Sequence, residues 1–463
     1  MRIKENTIKP GLWLTILLVL CSLSIYSSAG LAKSVIDPVK CRVELDRNVL
    51  PAKSPQNVVV KVTLDAQKPY ERIRPADRPK VNLSIVLDRS GSMSGQKIEK
   101  AKEAAVEALR RLGPGDICSV VIYDHNVQTI VPAQSARNIE WIESRIHSIQ
   151  PGGNTALFGG VSQGASEIRK NLGGGYIHRI ILLSDGIANV GPSSPEELGR
   201  LGAALLKEDI AVTTIGVGTD YNEDLMARLS QNSDGNTYFV ESSRDLPRIF
   251  TAELGDVLDV VAKRVKITIE CPEGIKPLRI IGRDGRIRGQ TIELSLNQLY
   301  GGQEKYALVE VAVPEGKDGQ NMNIAMAEVS YINAFTQKKG LSRGNVKATF
   351  SRDMKIVEQS GNIPVQKENY LNVGALAEEK AILLSDEGKN AAAAAVLKES
   401  AQEMKLFAVK TNDKEMLDKA EAMEQDAKTI EEEGMSKKQR KYLRSKSYQM
   451  KNQQPVPSTK SDE

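Results

Sequence analysis

The amino-acid sequence predicts an α/β fold, a doubly wound, mostly parallel sheet, set between β-rich segments and followed by a helical region. Three observations carry this. From 80 to about 262, aliphatic strand-like runs alternate with stretches of helical period, the pattern of a parallel sheet covered on both faces. At 38–66 and 264–351, apolar and polar residues alternate without intervening helices, the period of half-buried strands. From 367 to 433 the pattern is helical throughout.

In the first β-rich segment, short strands are separated by Pro51, Ser54 and Pro55. A polar, Pro-rich linker runs from Lys68-Pro69 to Arg78-Pro79. The α/β unit then offers strands at 81–87, 116–123, 179–184, 210–216 and 236–240. Helices are expected near 95–112, 136–149, 157–171, 195–207, 222–231 and 245–262. In the first helix Ile98, Ala101, Ala105, Ala108 and Leu109 share one face. In the second β-rich segment Ala307, Val309, Val311 and Val313 alternate, and Asp284-Gly285 signals a hairpin. The two β-rich segments can form one β-sandwich into which the α/β unit is inserted; two unrelated β pieces are the alternative. Three helices follow over 367–433, broken by Asp386-Glu387-Gly388 and with an alanine run from Ala391 that favours the second. The remainder, 434–463, is basic at its start and Gln-, Pro- and Ser-rich at its end. It is expected to be disordered, with weak contact to anionic envelope polymer or lipid as its functional option.

The chain of 463 residues is 40% hydrophobic and 26% charged, ordinary for folded protein. Aromatics make up 4%, so the cores must be aliphatic. A net charge of +4 gives no case for a nucleic-acid partner. Residues 1–32 read as a secretory signal: Arg2, Lys4 and Lys9 precede an apolar run from Leu12 to Tyr26, then small residues. The apolar run is shorter than the roughly 20 residues that span a bilayer; an uncleaved anchor is the alternative, and a lipoprotein signal at Cys21 ranks last because Leu20 precedes it. Either way the body of the chain is expected outside the cytoplasm, secreted or in the envelope. Cys118 lies in a buried-strand run and reads as an inert thiol. Cys41 and Cys271 each alternate with apolar residues on a strand face. In an oxidising compartment they are candidates for a disulfide, with two buried thiols as the alternative.

The most informative stretch is Asp88-Arg89-Ser90-Gly91-Ser92, which ends one predicted strand and precedes a helix. Ligands of open α/β sheets sit at the carboxyl ends of strands. Gly152-Gly153-Asn154-Thr155 and Ser184-Asp185-Gly186 belong to loops at the same sheet edge. Together they bring Asp88, Ser90, Ser92, Thr155 and Asp185 to one place. Carboxylate and hydroxyl oxygens are hard ligands, suited to Mg²⁺ or Mn²⁺ rather than zinc.

In these residues the sequence resembles a von Willebrand factor type A domain, a Rossmann-like fold, with a complete metal-ion-dependent adhesion site. That pattern is Asp-x-Ser-x-Ser, a distant Thr and a distant Asp. The resemblance covers about 80–262. It is nearest to bacterial secreted members and inter-α-trypsin-inhibitor heavy chains, through Ile215-Gly216-Val217-Gly218, Tyr221 to Met226, and Asn236 to Val240. It implies that Ser90, Ser92 and Thr155 bind a divalent cation directly, and that Asp88 and Asp185 act largely through water. The expected ion is Mg²⁺, with Mn²⁺ and Ca²⁺ as alternatives, and the expected ligand is a carboxylate from a protein partner.

No catalytic constellation stands out. Gly91-Ser92-Met93-Ser94-Gly95 fails the nucleophile-elbow pattern at its centre. There is no His-Glu-x-x-His helix and no phosphate loop. His125, His147 and His178 fall in different elements. The sequence therefore points to a non-enzymatic, metal-dependent binding protein outside the cytoplasm. The alternatives are a subunit or assembly factor for an envelope enzyme or transporter and, third, a hydrolase whose site the sequence does not reveal.

Overall fold

The computed structural model describes residues 37–68 and 78–455. The expected secretory signal at 1–32 lies outside the described residues, as do 69–77 of the linker and 456–463. Among the described residues no helix is long and apolar enough to cross a membrane.

Three strands open the described chain: β1 (Val39–Leu45), β2 (Val49–Pro51) and β3 (Gln56–Ala66). The α/β unit follows. Its strands are β4 (Val81–Asp88), β5 (Ile117–Tyr123), β6 (Val127–Ser135), β7 (Ile177–Ser184), β8 (Ile210–Val217) and β9 (Thr237–Val240), in the order β6-β5-β4-β7-β8-β9. All neighbours are parallel except β6, an antiparallel edge. The sequence reading missed β6, because Pro132 and its polar residues break the alternation. Six helices cover the sheet: α1 (Gln96–Arg110), α2 (Ile139–His147), α3 (Leu157–Arg169), α4 (Pro195–Lys207), α5 (Glu223–Ser233) and α6 (Leu246–Leu258).

Strand alternation divides the aliphatic residues between two cores. Leu83, Ile85, Leu87, Ile181 and Leu183 meet α1, α2 and α6 on one face. Val86, Val121, Ile180 and Leu182 meet α3, α4 and α5 on the other. Each fully buried Leu, Ile or Val contributes about 1.5–3 kcal/mol, which is why every residue of β4, β7 and β8 is out of water. The cores clamp the strands, so the loops at their carboxyl ends start from rigid points.

The chain then returns to β structure: β10 (Val260–Glu270), β11 (Lys276–Ile281), β12 (Arg286–Arg288), β13 (Thr291–Tyr300), β14 (Glu304–Val313), β15 (Asn321–Asn333) and β16 (Lys339–Ser351). One sheet is β1-β3-β14-β11; the other is β12-β13-β10-β15-β16-β2. Val58, Val60, Val62 and Leu64 of β3, Val309 and Val311 of β14, and Ile267 and Ile269 of β10 close one core between them. Strands from before and after the α/β unit thus share two sheets. Asp284-Gly285 does not make the expected hairpin; it lies between β11 in one sheet and β12 in the other. The α/β unit is tied to the sandwich by Arg179 of β7, which is fully buried. Its guanidinium donates to Gln298 Oε1 at 2.6 Å and Tyr300 Oη at 2.8 Å on β13, and faces Glu253 of α6 at 3.2 Å.

Cys41 and Cys271 are separate buried thiols, not a disulfide. Both border the sandwich core, but Cys41 Sγ packs against Gly344 of β16, whereas Cys271 follows β10. Strand β15 lies between β10 and β16. Two strand spacings are about 9–10 Å, beyond the roughly 7 Å that a disulfide bridges between Cα atoms. Burial pushes both thiols up to about 11.

The helical region comprises α7 (Met354–Gln359), α8 (Ile363–Asp386), α9 (Asn390–Thr411), α10 (Lys414–Glu433) and α11 (Lys437–Lys451). Helices α8, α9 and α10 bury Ala381, Leu397, Met404, Ala420 and Ile430 together. The expected disordered tail is wrong for 437–451, which is helix α11. Ser436 caps it, accepting from Gln439 N at 3.1 Å, and Leu443 and Tyr448 are buried. Its cations find carboxylates of the same chain: Lys438–Glu241, Arg444–Asp224, Lys446–Glu378 and Lys451–Glu379. Charge density alone read as disorder because those acids are distant in sequence. The same pairing removes the basis for a contact with anionic polymer or lipid through these side chains.

Candidate metal centre

Asp88 is the last residue of β4 and is fully buried. Its oxygens are both engaged: Oδ1 accepts from Ser90 N at 2.8 Å and Oδ2 from Ser184 Oγ at 2.6 Å. Burial pushes its carboxyl up to about 6, against the pull of these hydrogen bonds; the charge of Asp185 adds to the rise. The loop after Asp88 is pinned to the next. Gly152 N donates to Arg89 O at 2.7 Å, and Gly91 N to Gly153 O at 3.1 Å. Gly153 has φ +79°, and a Cβ there would lie 2.2 Å from His125 Nδ1, so only glycine fits.

Three hydroxyls converge on the third loop. Ser90 Oγ and Ser92 Oγ are 3.1 Å apart, and Ser92 Oγ donates to Asp185 Oδ1 at 2.7 Å. A Cβ on Gly186 would stand 3.1 Å from Thr155 Oγ1, 3.3 Å from Ser92 Oγ and 3.8 Å from Ser90 Oγ. The absent methyl leaves a small oxygen-lined space. Thr155 is held by reciprocal bonds, its N donating to Asn189 Oδ1 at 2.9 Å and its O accepting from Asn189 N at 3.1 Å. The structure therefore brings together Asp88, Ser90, Ser92, Thr155 and Asp185. Ser90, Ser92 and Thr155 line a shallow cleft of about 290 Å³ whose rim includes Asn154, Ile187, Asn189 and Asp220, with Asp88 and Asp185 buried beneath it.

The donor set fits a hard divalent cation: two carboxylates and three hydroxyls, with no nitrogen or sulfur among them. Among the described residues no three His, Cys, Asp or Glu side chains gather as a metal cage, so these mixed oxygens are the candidate. Asp185 also pairs with Lys97 Nζ of α1 at 2.5 Å. Sequence reading placed Ser184 at this edge without its bond to Asp88, and missed Lys97, Asn189, Ile187 and Asp220. Ile187 follows the Asp185-Gly186 pair, and Asp220 follows β8 at the same sheet edge, so the carboxyl-end rule could have found both.

The histidines remain apart. His125 is exposed near Gly153, His147 ends α2, and His178 is buried between Asn82 and Leu172 O, where burial lowers its pKa.

The model of the von Willebrand factor type A domain family matches residues 82–252. The chain carries a von Willebrand factor type A domain. The chain is similar over part of its length to parts of other proteins. Uncharacterized protein sll0103 of Synechocystis is 26% identical over 261 residues, 54% of this chain and 61% of that one. Human inter-α-trypsin inhibitor heavy chain H3 is 27% identical over 179 residues, 36% of this chain and 20% of that one. The chain thus spans less than two thirds of these relatives. A solved type A protein from Catenulispora acidiphila superposes with a TM-score of 0.66 at 17% identity, covering 86% of this chain and 91% of that one. That likeness shows the fold. Type A domains are mostly interaction modules without catalysis, and they commonly bind a divalent metal ion.

Proposed function

We propose that the type A domain captures a protein partner through a divalent cation, Mg²⁺ in the first instance, and that it does so outside the cytoplasm. The observation that carries this is the convergence of Thr155, Ser92 and Ser90 hydroxyls around Gly186, next to Asp185 and open to solvent through the cleft. Ser90, Ser92 and Thr155 would hold the ion, and Asp88 and Asp185 would hold its water. The ion supplies a Lewis-acidic position at which a partner's Asp or Glu carboxylate replaces a water. The chain's part is to keep the hydroxyls preorganised and the cleft open. With hydroxyls rather than carboxylates as its direct ligands, the ion would keep charge to attract an added carboxylate. The extracytoplasmic part of the reading rests on the signal-like residues 1–32.

The test is affinity capture with and without chelator, with Asp88→Ala as control, beside calorimetry of Mg²⁺ binding. Capture that vanishes in chelator and in Asp88→Ala supports the reading. Unchanged Mg²⁺ affinity in Asp88→Ala sinks the site.

A further inference from the structure

The metal cleft has a fourth wall, contributed by the loop between β8 and α5. The loop runs Gly218-Thr219-Asp220-Tyr221, and Asp220 lies exposed on the cleft rim. No cation of the described residues pairs with it. A second rim residue is Ile187, 62% exposed and the most exposed large apolar side chain of the α/β unit among the described residues. The uncovered isoleucine leaves apolar surface in water and contributes nothing to the core, and the acid beside it keeps its charge free to meet a cation.

The loop is held in place from behind. Lys441 of α11 is buried, donates to Tyr221 O at 2.7 Å and stands 4.5 Å from the Tyr221 ring centroid. It also pairs with Glu223 at the start of α5. The Tyr221 ring covers Gly216, where a Cβ would come within 2.1 Å of it. Gly216 in turn is paired with Ser184 in the β7–β8 register. On the other side Gly218 N donates to Val240 O at 2.8 Å. Asp220 therefore projects from a backbone fixed against the strand that carries Ser184 and leads into Asp185.

Resting on the proposed function above, we infer that this rim selects the partner's sequence: the captured carboxylate is flanked by a Lys or Arg side chain that meets Asp220 and by an apolar side chain that covers Ile187. A second acid next to the captured one would face Asp220 and be disfavoured. Opposite charges several ångströms apart at a solvated rim change affinity by roughly three- to tenfold, enough to rank partners. Lys441 is a positioning residue for this choice.

The experiment uses the full chain and synthetic peptides with one central aspartate, bearing Lys or Glu, and Leu or Ser, as neighbours before and after it. Binding is followed by fluorescence anisotropy in Mg²⁺ and in chelator. The Lys- and Leu-flanked peptides are expected to bind at least about fivefold tighter than the Glu- and Ser-flanked ones. Asp220→Asn should collapse the Lys-over-Glu preference, and Ile187→Ser the Leu-over-Ser preference. Lys441→Met should blunt the first preference and Lys441→Arg restore it, with thermal melts showing that both variants fold. Mg²⁺-dependent binding with a flat ranking, or a ranking untouched by Asp220→Asn and Ile187→Ser, overturns this inference and leaves the metal site standing. No Mg²⁺-dependent binding of any peptide overturns both.

Discussion

Gly186→Ala separates the fold from the ion. The backbone there needs no positive φ, so alanine can adopt it, and the new methyl would sit 3.1 Å from Thr155 Oγ1 and 3.3 Å from Ser92 Oγ. These contacts are tighter than van der Waals packing but not crushing. Overpacking of this kind costs about 1–3 kcal/mol. Removing glycine's freedom from the unfolded chain offsets about 0.4–1 kcal/mol of that. The net loss is then about 0–2.6 kcal/mol, a fall in Tm of no more than several degrees in a protein this large. The ion's space suffers more, because the methyl fills the gap the three hydroxyls surround. Mg²⁺ affinity should fall at least about tenfold, or ~1.4 kcal/mol. Calorimetry with Mg²⁺ and a thermal melt in chelator report the two effects independently. A variant that melts like the native protein and binds Mg²⁺ within twofold of it would refute the placement of the ion among these hydroxyls.

Lys97→Met should strengthen Mg²⁺ binding by up to about tenfold, because the ammonium on Asp185 competes with the ion for that carboxylate; unchanged calorimetry would assign Lys97 to packing alone. Asp256 of α6 has its carboxyl pushed up to about 7 by burial and by the charge of Glu253. Below about pH 4 it is neutral in both states; between there and about pH 7 the folded protein holds the extra proton, so its contribution to stability falls as pH rises. Asp256→Asn should remove that slope, and melts from pH 4 to 8 that stay parallel to the native protein's would count against it. Arg440 of α11 joins Asp224 at 2.6 Å and Asp386 at 2.7 Å, besides Glu223. Arg440→Met should cost on the order of 1–3 kcal/mol by leaving partly buried acids underpaired, and a Tm within a degree of native would show the network to be idle.

Most of the α/β unit is legible in the sequence, since its inner strands are unbroken aliphatic runs buried on both faces. Asp88, Ser90 and Ser92 are legible because they share one turn, and Thr155 and Asp185 because each directly precedes or follows a strong element. What escaped obeys a different logic. Strand β6 is a half-exposed edge with a proline, so burial does not write a period into it. Helix α11 is stabilised by Glu223, Asp224, Glu378 and Glu379, acids distant in sequence that a local count of charge cannot see. The disulfide expectation failed on register: Cys41 and Cys271 have the right alternation to face one core, but alternation says nothing about which strand lies between them.

Helix α11 also changes how the site should be regarded. An isolated surface ion pair is worth little, but here Lys441 is buried, Arg440 and Arg444 share Asp224, and Tyr448 Oη donates to Gly235 O at 2.6 Å at the far end of α5. Both ends of α5 are therefore gripped by the same helix. The same helix binds α8 through Lys446 and Lys451, and α8 packs Val373 and Leu376 against Val59, Tyr306 and Leu308 of the sandwich. A continuous run of contacts thus links the sandwich, the helical region and the loop that carries Asp220. The C-terminal helices are part of what sets the metal cleft's fourth wall, and a type A domain cut free at 82–252 would keep its hydroxyls and carboxylates yet lose the support that holds Asp220 in place.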